Sequence, residues 1–139
     1  MALTANEGRV YEPFPVPIYT DLPLDAGAKV YEGSYLGENA STGLARALVS
    51  GDNFLGIAAA GADNTGGLAG AAVVRTRQAG IAKLDVATVA GAADYSATVN
   101  ATDDGTTTLL AGSAIGKVSR HVSGTIAMVA FEAVALRSL

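Results

Sequence analysis

From Ala28 to the end of the chain, Gly, Asn and Asp turn formers recur about every 8 to 12 residues, and the segments between them are β-prone. Such spacing leaves no length for a substantial helix and favours an all-β domain, a small barrel or a sandwich. Alternation inside the segments agrees. In AGAAVVRTRQAG, Arg75 and Arg77 fall on one face and Val74 and Thr76 on the other; in IAKLDVATVAG, Lys83 and Asp85 oppose Leu84 and Val86. AKVYEGSYLG reads as one strand and LARALVSGDNFLGIAAA as one or two, with space for a helical turn in STGLARALVSGD. Asp103-Asp104-Gly105 between two β-prone runs predicts a hairpin, and a second pair turns at Ser123-Gly124. The run that follows places Ile126, Met128 and Ala130 opposite Ala127, Val129 and Phe131, apolar on both faces. That suits a central strand or one at a subunit interface. A helix competes there, but the β-branched residues and the Gly start favour a strand.

The first 25 residues obey another rule. They hold all four prolines, Pro13, Pro15, Pro17 and Pro23, each of which fixes φ and removes a backbone donor. Neither a helix nor a central strand tolerates that density. The expected organisation is an extended N-terminal arm over residues 1–25 and a β-barrel-like domain over residues 26–139. Tyr11, Phe14, Pro15, Pro17 and Tyr19 are the candidates for contact between the arm and a surface, and a disordered tail is the alternative.

Composition narrows the function. Half of the residues are hydrophobic but only 6% are aromatic, so the core is built from small side chains and subunit contacts are expected to add stability. Nine Lys and Arg against 13 Asp and Glu give a net charge of −4, which offers no basic field for nucleic acid or an anionic membrane. There is no cysteine for a disulfide or a thiolate metal site. The first ten residues have no signal-peptide pattern, so the protein is expected to act where it is made or to leave within an assembly.

A search for chemistry returns little. His121 is the single histidine and has no Gly-x-Ser-x-Gly elbow to serve. GSAIGKV has three residues between its glycines and Val118 where a phosphate loop needs Ser or Thr. Asp103 and Asp104 lack the spacing of a calcium loop and suit a turn. No catalytic residue, metal ligand or cofactor is expected. Arg75 and Arg77, joined by Arg46, Lys117 and Arg120, form either a modest basic patch for an acidic partner or a solvated face. In GDNFLGIAAAGADNTGGLAG, Phe54, Leu55 and Ile57 are core candidates, while Gly56, Gly61, Gly66, Gly67 and Gly70 permit tight turns. That segment reads as one made to fold and to pack against neighbours.

The order of these pieces carries a family likeness. KVYEGSYLGENASTGLARALVSGDNFLGIAAAGADNTGGLAG, VVRTRQAGIAKLDV, TVNATDDGTTTL and IGKVSRHVSGTIAMVAFEAV follow one another. Their succession resembles the capsid cement, or head decoration, proteins of tailed bacteriophages over about residues 28 to 134, through order and spacing rather than one motif. The resemblance implies a β-tulip-like barrel that assembles as a homotrimer and has no enzymatic activity. It implies a structural virion protein, made in the host cytoplasm. It would sit on the outer surface of the expanded capsid near local three-fold axes, clamping major capsid subunits. A tail, baseplate or fibre component is the alternative. A small carbohydrate-binding module is weaker, because the chain has no Trp platform, and an enzyme would have to rest on His121.

Overall fold

In a computed structural model, residues 1–12 and 18–137 are described. The domain is all-β and barrel-like, dominated by one strongly curled antiparallel sheet. The strands are β1 (Val10–Tyr11), β2 (Ile18–Pro23), β3 (Lys29–Val30), β4 (Tyr35–Asn39), β5 (Leu44–Ala47) and β6 (Asn53–Ala58). There follow β7 (Ala62–Asp63), β8 (Val73–Asp85), β9 (Thr98–Ala101), β10 (Thr107–Thr108), β11 (Ser113–Ser123) and β12 (Ile126–Glu132). Two 3-10 turns, Ala92–Asp94 and Val134–Leu136, complete the set, and β3 pairs with β7 in a small second sheet.

β8 organises the rest. One of its edges is lined by β2 and β1; the other is shared by β6, which pairs near Arg77, and β12, which pairs from Ala79 to Asp85. The main sheet runs β10-β9-β11-β12-β8-β6-β4-β5. Each end curls back through one parallel bridge, Leu24 to Ala45 and Val86 to Thr107. Curling of this kind covers strand edges that would otherwise recruit other chains. The sequence reads two strands where β8 is one, because Gly80 looks like a break. It is instead the seat of an aromatic ring: a Cβ on Gly80 would lie 3.2 Å from Phe131, so glycine lets the strand pass beneath that side chain.

Two cores lie on either side of the β4–β6 pair. Tyr35, Phe54 and Ile57 face the larger one, with Ala82, Leu84, Val99, Ile115, Val118, Val129 and Phe131. Leu36 and Ala58 face the smaller one, with Leu24, Val30, Ala45 and Val74. Phe54 and Ile57 are three residues apart and would fall on opposite faces of a regular strand. A bulge at Leu55–Gly56 restores them to one face, and Gly56 permits it at φ +135°, where a Cβ would meet the Arg77 carbonyl oxygen at 2.5 Å.

The hairpins expected at Asp103–Gly105 and Ser123–Gly124 both form, as β9–β10 and β11–β12. AKVYEGSYLG divides into β3 and β4 where Gly33 adopts φ +87°. STGLARALVSGD is a turn leading into β5, with no helix. The C-terminal run is a strand, central between β11 and β8. Part of the segment expected to be an arm joins the sheet. β2 pairs with β8 from Ile18 to Pro23, and Leu24 is fully buried in the smaller core. Pro23 fits because it ends an edge strand.

Candidate interaction surfaces

The sequence offers tyrosines near the prolines and arginines on β8, and the structure brings the two together. β1 and β2 run beside β8, so Tyr11 and Tyr19 meet Arg77: its guanidinium carbon lies 3.8 Å from the Tyr11 ring centre and 4.9 Å from that of Tyr19. Arg75 also lies 4.9 Å from the Tyr19 ring centre, and 3.6 Å from Asp21. The four side chains form a stacked ladder along the edge of β8, each contact worth about 0.5–2 kcal/mol according to its exposure. Tyr11 also tilts against Phe131, at 6.1 Å between ring centres, which ties the ladder to the core. Burial raises the Tyr11 hydroxyl pKa, and Arg77 offsets part of that rise. Arg77 Nε is buried and has no hydrogen-bond partner among the described residues. Phe14, Pro15 and Pro17 lie outside the described residues.

The other arginines named from the sequence are engaged elsewhere. Arg46 makes a two-pronged pair with Asp52, at 3.0 and 2.8 Å, and Arg120 pairs with Glu12 at 2.9 Å. Hydrogen bonding to Asp52 raises the Arg46 pKa despite some desolvation. A side chain at Gly37 would collide with the Asp52 carboxylate, so that glycine makes room for the pair. His121 is half-buried, with Nε2 at 3.0 Å from the Gly124 carbonyl.

Phe54, Gly56 and Ile57 belong to the wall between the cores. Asp103, Asp104 and Gly105 form the β9–β10 turn, and Asp104 does more than turn the chain. It is buried: its carboxylate accepts from Ser34 Oγ at 2.9 Å and the Leu3 amide at 3.0 Å, while its carbonyl accepts from the Tyr35 amide at 2.9 Å. The turn thus clasps the N-terminal segment to the barrel, a role that local sequence gives no sign of, since Asp-Asp-Gly is ordinary turn chemistry. Arg9 was equally hidden in sequence. It donates twice to the Gly33 carbonyl, at 3.1 and 2.9 Å, and lies 4.8 Å over the Tyr35 ring.

Two apolar features face outward. The first is a groove of about 570 Å³ across β8, β12, β11 and β9, floored by Ala79, Gly80, Ile81, Ala114, Gly116 and Ala130. Lys117, Glu132 and Arg137 stand among its lining residues. The second is the loop between β7 and β8, which carries no charge from Asn64 to Val74. Leu68 at its apex is 81% exposed, and Val73 at its foot 57%. Among the described residues, no group of three or more His, Asp or Glu is placed to hold a metal ion. Nor is any helix among the described residues long and apolar enough to cross a membrane. Comparison with protein-family models, curated proteins and solved structures gave no match.

Proposed function

We propose that this chain is a structural decoration protein. As a homotrimer it binds the major capsid protein on the outside of an expanded bacteriophage head, near local three-fold axes, and strengthens the shell. The observation that carries the reading is the order of the sequence pieces from residue 28 to 134, which resembles that of cement proteins and falls mainly on one curled β sheet. Two physical features support it. The body is packed on both sides of its central wall, and its outward features are apolar loops, a groove and stacked side chains. A clamp needs contacts and no reaction, and many copies on one shell sum modest contacts into a large effect. Tyr19, Arg75 and Asp21 at the outer edge of β8 are the proposed place of shell contact, since Tyr11 is turned toward Phe131.

The test is co-sedimentation with purified phage heads, both compact precursors and expanded shells. Selective pelleting with expanded heads, saturating at a fixed number of copies, is the expected result. Folded protein that pellets with neither overturns the reading and points to a tail, baseplate or fibre component.

A further inference from the structure

We propose that Asp104–Gly105 is a site of spontaneous isoaspartate formation masked by the N-terminal segment, so that opening of that segment exposes the turn to a slow and lasting chemical change. The masking belongs to the chain itself and holds whatever surface the domain binds.

The chemistry is local. Asp104–Gly105 is the single Asp-Gly pair of the chain, and Asn-Gly does not occur. Glycine has no Cβ, so its amide nitrogen approaches the preceding side chain with the least hindrance. In the reaction the Gly105 nitrogen bonds to Asp104 Cγ and gives up its proton. One carboxyl oxygen leaves as water, taking that proton and one from solvent. Water then opens the succinimide ring at either carbonyl. Opening at Cγ restores aspartate. Opening at the main-chain carbonyl leaves isoaspartate, with the chain routed through the side chain and a free carboxylate where the main-chain carbonyl stood.

The folded turn withholds both reacting groups. The Gly105 amide donates to Asp103 Oδ1 at 2.9 Å, so the nucleophile is engaged. Asp104 is 4% exposed, and its carboxylate accepts from Ser34 Oγ at 2.9 Å and from the Leu3 amide at 3.0 Å. The start of the chain lies over the glycine: a Cβ there would come within 2.5 Å of the Met1 carbonyl oxygen and 2.9 Å of Leu3 Cδ2. Farther along, polar contacts hold this cover, with the Glu32 amide donating to Asn6 Oδ1 at 2.9 Å and the Glu7 amide to the Glu32 carbonyl at 2.8 Å. Such a segment can open while the barrel stays folded. Opening removes the Leu3 donor and the cover together. Isoaspartate would then keep the segment from returning, because Leu3, Ser34 and Tyr35 donate to Asp104 oxygens that the rerouted chain displaces.

The test follows isoaspartate at Asp104 in the full chain held at neutral pH, by peptide mapping and by methyl uptake with an isoaspartyl methyltransferase. A free peptide with the sequence of residues 98–108 gives the unmasked rate. Two variants loosen the cover at different points: Leu3→Pro removes the amide that donates to Asp104, and Asn6→Ala removes the acceptor of the Glu32 amide. Circular dichroism verifies that each stays folded, and the comparison of wild type with peptide needs no variant. The wild type is expected to react at least about tenfold more slowly than the peptide, because the reaction waits for a minor open state. Both variants are expected to fall between the two. Isomerised wild type is expected to lose hydrogen-exchange protection at the Leu3 amide. A wild type as fast as the peptide overturns the proposal, and so do folded variants no faster than the wild type or a peptide that forms no isoaspartate. An isomerised chain that still protects Leu3 overturns the lasting change.

Discussion

The β4–β6 wall and the N-terminal segment meet at Tyr35, and they are held by opposite means. Tyr35, Phe54 and Ile57 on one side of the wall and Leu36 and Ala58 on the other are buried almost completely, so the pair is fixed by apolar contact on both faces. Residues 1–9 are mostly exposed and are held by polar contacts. The Leu3 amide donates to Asp104, Glu7 and Glu32 pair through their backbones at 2.8 Å, and Arg9 reaches Gly33. Clefts of about 430 and 370 Å³ flank this segment. Loss of the wall therefore threatens the whole domain, whereas the segment can open by itself, as low-stability elements do.

The largest effect is expected inside the wall. Phe54→Ala removes a ring that packs edge-on against Phe131 at 6.3 Å and leaves a void between strands that cannot collapse. It should cost about 3–5 kcal/mol, read as a shift in the urea midpoint at constant slope. Deletion of residues 1–8 should cost less than about 1 kcal/mol. Equal costs would break the comparison. Deletion of residues 1–25 does not belong on the same scale, because it also takes β2 and the buried Leu24.

Next in size is an alkaline effect that belongs to the wall. Burial pushes the Tyr35 hydroxyl up to about 12, although Arg9 above its ring pulls in the other direction. The folded value exceeds the unfolded one of about 10, so the neutral phenol favours the native state. That contribution is complete below about pH 10 and is lost as pH rises through the folded value. Ultraviolet titration should show one tyrosine ionising last, together with unfolding. A Tyr35→Phe variant should lack that step. Ionisation of all five tyrosines near pH 10 in the folded protein would mean that Tyr35 is not enclosed.

These two regions also differ in how legible they were. Alternation and turn chemistry are local signals, and they located the β9–β10 and β11–β12 hairpins and the buried face of β8. Three features depended on distant partners. Gly80 reads as a break until Phe131 is placed over it; Phe54 and Ile57 share a face only through the bulge at Gly56; and β2 looks unpaired until β8 lies beside it. For the interaction surfaces, sequence supplied the residues and left their pairing open. Tyr11, Tyr19, Arg75 and Arg77 were each visible, but their stacking follows from the register of β1 and β2 on β8. Asp104 and Arg9 were silent because their partners are 70 and 24 residues away.

The smallest effect is an acidic one and should stay within the N-terminal segment. Burial alone would raise the Asp103 carboxyl, but the Gly105 amide at 2.9 Å and the terminal ammonium at 3.4 Å outweigh it and hold the pKa below the usual value. With the folded value depressed, the charged form favours the clasp. The contribution is present above about pH 4 and is lost as pH falls through the folded value. The ammonium contact is solvent-exposed and screened by salt, so its share is small. Protection of the Leu3 amide against hydrogen exchange should therefore fall as pH drops below about 4, before the global transition begins. In Asp103→Asn it should already be reduced at neutral pH, with a urea midpoint close to that of the wild type. If Leu3 keeps its protection until the whole domain unfolds, the segment is no separate unit. Its polar contacts and the apolar wall would then be parts of one cooperative structure.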